Sequence, residues 1–468
     1  MKTTSGRDVL ELSDGLVRWI ESTAGGRASS IERRHAGGAR EGWWVDVRGA
    51  DGAMQALFLR RDAGNGPLSG TRYTLPREGR TIQALRGTGL QVPEILGIHE
   101  EERCTLMRRM PGEADFRRIA GVAGHEREWD DVSREYVDQI CLLHSLDPRS
   151  LALPDHPIPE TPEDHALLEV RSWRRLYDER VTVREPVVDF GFKWLEHHVP
   201  RQVQRTVLVQ GDAGPANFLF EKGRLTAVLD WDVSHVGDPM EDLAGICIRG
   251  FWTPFGNLSL YIREYEKRSG LKIDFDTIRY YMHLQFMRAA VGELNALEGY
   301  DPATDVTLNT MSLVLGMRGM AQIMAYTAGL EPVESRVPPP IPDNTFSPYF
   351  RVLAQNIESI LGPSVGDPYT AHRARQLASL TRVLERASAL RPTLEAEELE
   401  EIAAVLGRRF PDLATAEAAL SEHITRHAKG TEPELIAYLF HRCERRTSLW
   451  APVLGSLYYN PQPDLEAL

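Results

Sequence analysis

Asp212, Asn217 and Asp230 stand at separate points of one stretch, TVLVQGDAGPANFLFEKGRLTAVLDWDVSHVGDPMEDLAGI, residues 206–246. Their types and order suit phosphoryl transfer. That chemistry asks for a carboxylate that orients an acceptor hydroxyl and takes its proton. It also asks for an amide oxygen and a second carboxylate to hold magnesium on a triphosphate. Asp212 suits the first role, and Asn217 and Asp230 the second. The competing reading is an acidic loop beside a buried hairpin. The ordered spacing of the three side chains argues for the chemistry.

The elements that must position them are legible nearby. Val207-Leu208-Val209 is an apolar run that leads into a tight Gly211-Asp212 turn. Phe218-Leu219-Phe220 resumes the apolar pattern, Glu221-Lys222-Gly223-Arg224 reads as a hairpin turn, and Leu225 to Leu229 as the returning strand.

The segment resembles the aminoglycoside phosphotransferase and choline kinase-like group, small-molecule relatives of the protein kinases. The resemblance rests on Gln210-Gly211-Asp212, Asn217, Leu229-Asp230-Trp231, Gly237-Asp238-Pro239 and Asp242-Leu243-Ala244, and extends over about Leu16 to Pro363. Gln210 departs from the pattern, which has His there as a brace for the metal-binding segment. A Gln amide can also donate a hydrogen bond. Gly211 replaces the Arg that protein kinases carry before the catalytic Asp, which favours a small-molecule acceptor. Asp242 is similar to the residue that hydrogen-bonds the catalytic-loop backbone, and His144 reads as a structural histidine.

The resemblance implies an α+β, protein kinase-like two-lobed fold. A five-stranded antiparallel sheet with one packed helix forms the first lobe, and a mainly helical lobe carries the catalytic loop. ATP or GTP, with magnesium, would lie between them. Gly37 and Gly38 sit in a turn between two strands, where backbone N–H groups can approach phosphate oxygens. The strand Met54 to Arg61 ends without the lysine that kinases carry there, so Arg60, with Arg61 as runner-up, is expected at the phosphates. Glu78, in the helix opened by Pro76, would pair with that cation. Arg108 and Met110 mark the hinge that would meet the nucleobase.

Helices at 258–269, 275–293 and 307–328 would form the acceptor side, with Glu293 or Glu298 as candidate lining. The expected domains are 1–109, 110–363 and a helical extension, 364–468, read as four short helices over 371–391, 395–410, 414–427 and 432–447. The extension faintly resembles an uncharacterised helical domain appended to similar phosphotransferases, and a homodimer through it is one expectation. His423 and His427 lie one helical turn apart there, with His441 and Cys443 nearby. No recognised zinc spacing surrounds them, so packing is the preferred reading.

Composition narrows the classes. The 468 residues are 42% hydrophobic and 26% charged, with a net charge of −13. That acidity argues against nonspecific nucleic-acid binding. The four cysteines are scattered, as suits a reducing compartment. No apolar run reaches transmembrane length, and a cytoplasmic location without membrane contact is expected. Phosphate-loop, dinucleotide-fold, nucleophile-elbow and HExxH motifs are missing. The function expected is transfer of the γ-phosphate of ATP to a hydroxyl of a small molecule. The alternative is a pseudokinase or nucleotide-binding regulator whose helical tail is an interaction module. The Leu59-Arg60 strand end is similar to relatives implicated with hydroxyacyl-CoA and other catabolic hydroxy compounds.

Overall fold

The computed structural model describes residues 12–35, 40–62, 64, 66–299, 305–330 and 338–458. Helix α1 (Asp14–Ala24) leads into strands β1 (Gly26–His35), β2 (Glu41–Gly49) and β3 (Met54–Arg61). Helix α2 (Leu75–Ala84) and strands β4 (Ile95–His99) and β5 (Cys104–Arg108) follow. The strands form one antiparallel sheet in the order β1-β2-β3-β5-β4. Alternation sorts its two faces. Trp43, Val45, Val47, Leu57, Leu59 and Leu106 pack against Leu16 and Ile20 of α1. The opposite face carries Trp44, Phe58, Arg60 and Thr105, and this is the face that α2 covers and that looks toward the second lobe. Thr105 Oγ1 donates to Leu75 O there at 3.1 Å. Thr74 caps α2 by accepting from Arg77 N, with Pro76 in the first turn. Strand β1 starts five residues before the apolar Ile31. Its polar N-terminal half is held by pairing with β2 across a bulge, so tertiary pairing overrides composition here.

The second lobe is helical: α3 (Glu126–Ser145), α4 (Pro162–Arg180), α5 (Pro186–His197), α6 (Met240–Trp252), α7 (Leu258–Ser269), α8 (Phe275–Glu298) and α9 (Val306–Thr327). Four short strands lie between α5 and α6. These are β6 (Val207–Val209), β7 (Phe218–Glu221), β8 (Arg224–Val228) and β9 (His235–Gly237). β7 and β8 form the expected hairpin, turning at Lys222 (φ 51°) and Gly223 (φ 74°). β6 pairs with β9, which the sequence reading did not anticipate.

The chain ends in α10 (Ser347–Asn356), a π-helical turn at Ile357–Leu361, α11 (Pro368–Leu406), α12 (Leu413–His427) and α13 (Pro433–Leu449). The two helices expected over 371–391 and 395–410 are one 39-residue helix, α11, with Pro392 inside it. A proline removes one backbone bond of a helix, and packing on both sides of Pro392 holds the helix continuous. Ala378 and Val383 are buried before it and Glu398 and Ile402 after it. The buried face of the tail, including Ile402, Leu420, Ile424, Leu435 and Leu439, is continuous with the core of the second lobe. Among the described residues, no helix is long and apolar enough to cross a membrane.

Candidate active site

Asp212 follows β6 in a turn that only glycine permits. Gly211 has φ 86°, and a Cβ there would lie 2.7 Å from the Val233 carbonyl oxygen. Asp242, at the start of α6, receives both N–H groups of that turn, from Gln210 at 2.9 Å and Gly211 at 2.8 Å. His144 sits between Asp242 (3.0 Å) and Tyr265 (2.7 Å), fully buried, as a structural histidine does. Arg288 of α8 donates to Gly211 O at 2.5 Å and to Glu241 at 2.7 Å. The Asp212 turn is therefore held from α6 and α8 together.

The side chain of Asn217 donates to Asp212 twice, to the backbone oxygen at 2.7 Å and to Oδ2 at 2.9 Å. Its amide oxygen is thereby left as an acceptor. Its backbone oxygen accepts from Leu229 N at 2.8 Å, which ties the Asn217 loop to the residue before Asp230. Gln210 completes the brace. Its Nε2 donates to Leu229 O at 2.6 Å, and its Oε1 accepts from Tyr136 Oη at 2.8 Å. The amide spans the gap that the family pattern fills with imidazole.

Asp230 stands in the left-handed region at φ 57°, which an Asp tolerates better than a bulky residue. The twist turns its carboxylate toward the first lobe, where Arg60 waits at the end of β3. Arg60 Nη2 lies 3.2 Å from both Asp230 Oδ1 and Asp232 Oδ2, and Nη1 bonds Glu78 Oε1. Glu78 Oε1 also accepts from Trp231 N at 3.2 Å, so α2 is tied to the metal-candidate segment by charge and by backbone. Arg40, just after the glycine turn, forms a second tier beside Asp62 Oδ2 (3.1 Å) and Asp232 Oδ2 (3.5 Å).

Glu78, Asp230 and Asp232 each place one carboxylate oxygen within 4.8 Å of the others. Burial pushes Glu78 well above the usual carboxylate range against the pull of Arg60, with Asp232 and Asp230 adding to the rise. Burial also raises Asp230, offset in part by Arg60. For Asp232 burial is outweighed by Arg60 and Arg40, and its carboxyl is lowered. Glu78 Oε2 and Asp232 Oδ1 are buried without a hydrogen-bond partner. Asp230 keeps 37% of its side chain open. Unpaired oxygens beside an open carboxylate are a donor set that fits a hard divalent cation.

Not all of the expected site residues come together. Asp212, Asn217, Asp230, Arg60 and Glu78 are linked through the contacts above. Arg61 turns away to Glu102 (3.5 Å). Gly37 and Gly38 lie outside the described residues. Arg108 ends β5, where its N–H already donates to Glu94 O at 2.8 Å and that of Arg109 to Ala56 O at 3.0 Å. Met110 lies just beyond the end of β5. Glu298 is spent on Thr182 and Val183 at the end of α4, and Glu293 is buried with its carboxyl pushed up by desolvation. Glu298 is exposed, and its three bonds are all made through Oε1.

Three residues were missed: Arg40, Asp232 and Arg249. Asp232 had a signal, as the second acid of Asp230-Trp231-Asp232. Arg249 comes from α6 and donates from Nε to Asp212 Oδ1 at 2.8 Å, and no local spacing connects the two.

A stretch of 263 residues is 30% identical to acyl-CoA dehydrogenase family member 10 of Mus musculus, over 51% of this chain and 24% of that protein. Another is 28% identical to acyl-CoA dehydrogenase family member 11 of Rattus norvegicus, over 50% of this chain and 33% of that protein. The match thus spans a quarter to a third of the length of these relatives. A solved structure of a thermostable mutant of an aminoglycoside phosphotransferase, in complex with ADP and hygromycin B, is 17% identical. It aligns with a TM-score of 0.46 over 66% of this chain and 97% of that one. The model of the phosphotransferase enzyme family matches residues 33–281, more than half of the sequence, and the chain belongs to that family.

Proposed function

We propose that this protein is a small-molecule kinase that moves the γ-phosphate of ATP to a hydroxyl group, with magnesium as the metal. The observation that carries the reading is the joining of Arg60, Glu78, Asp230 and Asp232 across the two lobes, one loop away from Asp212 and Asn217.

Asp230 and the Asn217 amide oxygen would hold magnesium, with Asp232 and Glu78 behind them. Bound there, the metal would neutralise charge on the triphosphate. Arg60 contacts phosphate while Glu78 fixes its rotamer. Asp212 orients the acceptor. The acceptor oxygen bonds to the γ-phosphorus as the bond from that phosphorus to the β–γ bridging oxygen breaks. ADP leaves with that electron pair, and the hydroxyl proton passes to Asp212. Positioning and charge neutralisation dominate such a step. The domain limits proposed are 1–109 for the nucleotide lobe, 110–363 for the catalytic lobe and 364–468 for the helical extension.

The test is transfer of labelled γ-phosphate from ATP, with magnesium, to a panel of hydroxyacyl-CoAs, aminoglycosides, macrolides, choline and sterols. Hydroxyacyl-CoAs come first, because the relatives matched by sequence bear acyl-CoA dehydrogenase names. Transfer by wild type that disappears in Asp212→Asn supports the reading. Absence of nucleotide binding overturns it.

A further inference from the structure

Asp212, the carboxylate assigned to the acceptor hydroxyl, is held by an arginine. Arg249 Nε donates to Asp212 Oδ1 at 2.8 Å, and Nη2 bonds Oδ2. Nη1 donates to Pro215 O at 3.2 Å. The guanidinium thus lies across the mouth of the catalytic loop, with 17% of its side chain exposed beside 38% of Asp212.

The place is built for it. Gly214 has φ 131°, and a Cβ there would sit 2.8 Å from Arg249 Cβ and 3.2 Å from its Cδ. Any larger residue at 214 would push the side chain out. Tyr136 Oη, which braces Gln210, also receives Gly214 N at 2.8 Å, so one hydroxyl fixes both the brace and the Arg249 seat.

The charge inventory shows what the arginine adds. Among the described residues, no lysine forms an ion pair in the cleft. Arg60 and Arg40 serve the first-lobe side, at Glu78, Asp62, Asp230 and Asp232. On the Asp212 side the charged and titratable neighbours are Arg249 from α6, Asp230 from the end of the hairpin, Arg288 from α8 and Tyr136 from α3. Arg288 is committed to Glu241 and Gly211 O. Arg249 is the one whose guanidinium, with N–H groups beyond the three bonds already made, borders the open side of Asp212.

We infer that Arg249 is a catalytic residue of this site: it holds the Asp212 carboxylate in place and contacts the transferring phosphoryl group, where it offsets the charge that develops between acceptor and leaving oxygens. The inference rests on the phosphotransferase reading. It gives the chain, from within its own α6, a second cation beside Arg60, of the kind that phosphoryl transfer elsewhere draws from a partner's arginine.

The experiment compares wild type with Arg249→Lys and Arg249→Gln. ATP turnover is measured with the acceptor found above and with water as acceptor. Binding of ADP alone and of ADP with tetrafluoroaluminate, which mimics the phosphoryl group in flight, is measured alongside. Arg249→Gln is expected to lose about 100- to 1,000-fold in kcat with KM for ATP changed less than about threefold. It should bind ADP like wild type and lose the tighter binding of the fluoroaluminate complex. Arg249→Lys should recover part of kcat. A purely structural arginine would leave the fluoroaluminate preference unchanged. Turnover by Arg249→Gln within about twofold of wild type overturns this inference alone. Equal preference of wild type and Arg249→Gln for the fluoroaluminate complex also overturns it. Wild type that binds no nucleotide overturns both this inference and the phosphotransferase reading.

Discussion

Gln210 Nε2 donates to the Leu229 carbonyl at 2.6 Å, directly before Asp230, while its Oε1 receives the Tyr136 hydroxyl. The residue that departs from the family pattern is therefore a working brace, held at both ends of its amide. Gln210→His should keep turnover within about fivefold, since either ring nitrogen can donate to the same carbonyl. Gln210→Leu leaves that carbonyl and the Tyr136 hydroxyl without their partner and should cost about 1–3 kcal/mol of stability. It should also raise the magnesium concentration for half-maximal turnover about 10- to 100-fold, as loss of an outer support does at metal sites. Denaturant midpoints and a magnesium titration check the two effects. An unchanged magnesium requirement in Gln210→Leu would remove the brace role.

Arg60 contacts three carboxylates, those of Glu78, Asp230 and Asp232. Arg60→Met should cost about 3–5 kcal/mol, the range for stripping one partner from a buried ion pair. The loss should shrink on acidification. Burial already pushes Glu78 up, and without Arg60 it takes a proton more readily, which relieves the repulsion. In a carboxyl raised in this way the native state binds the extra proton, so stability is higher at low pH and falls as pH rises. Thermal melts of Arg60→Met at pH 5 and pH 8 read this directly. A variant more stable at pH 8 would contradict it.

Asp238 gives a pH dependence in the wild-type chain. Burial pushes its carboxyl up to about 7. The Met240 N–H offsets part of the rise, and Glu241 and Asp274 add to it. The folded protein therefore holds a proton that the unfolded chain releases near pH 4. This contribution is present below about pH 4 and is lost as pH rises to about 7, a change on the order of 2–4 kcal/mol. Asp238→Asn keeps the acceptor for Met240 N, 2.9 Å away, and cannot ionise. Its stability should vary less with pH between 4 and 7 than that of wild type, by urea denaturation at fixed ionic strength.

How far the sequence led differs by type of contact. Strand β3 begins and ends where alternation and its flanking turns place it, and Asp212, Asn217 and Asp230 are linked through one loop and hairpin as their order suggested. Those relations are local, set by turn chemistry and period. Arg249 and Asp212 are 37 residues apart, on elements whose approach depends on Asp242 capturing the Gly211 turn. Nothing in an isolated arginine near the end of a helix announces that. Pro392 misled in the other direction. A proline inside a helical pattern reads as a break, yet the helix continues because Ile402 and Val383 are buried on either side of it.

The tail shows why a truncation chosen from sequence would mislead. Arg442 of α13 lies with 2% of its side chain exposed. It bonds Glu398 of α11, Glu417 of α12 at 2.6 Å and, at 3.5 Å, Glu185, which precedes α5 in the second lobe. Arg446 reaches Glu185 at 3.0 Å and Glu417 at 3.1 Å, and Arg318 of α9 bonds Glu444 at 2.7 Å. Gly430 fits against the Lys193 backbone so closely that a Cβ would fall 2.6 Å from its carbonyl oxygen. Buried ion pairs are costly to break one-sidedly, and here they bridge the tail and the catalytic lobe. Removing 365–458 should therefore leave a chain that does not fold cooperatively, instead of a free kinase core. The point variant separates charge from mere bulk. Arg442→Ala should lose about 3–5 kcal/mol, and Arg442→Ala combined with Glu185→Ala distinctly less than the sum of the two single changes. A double-mutant cycle by chemical denaturation measures the coupling. Additive losses, or a soluble and cooperatively folded truncation, would mean that the tail is an appendage after all.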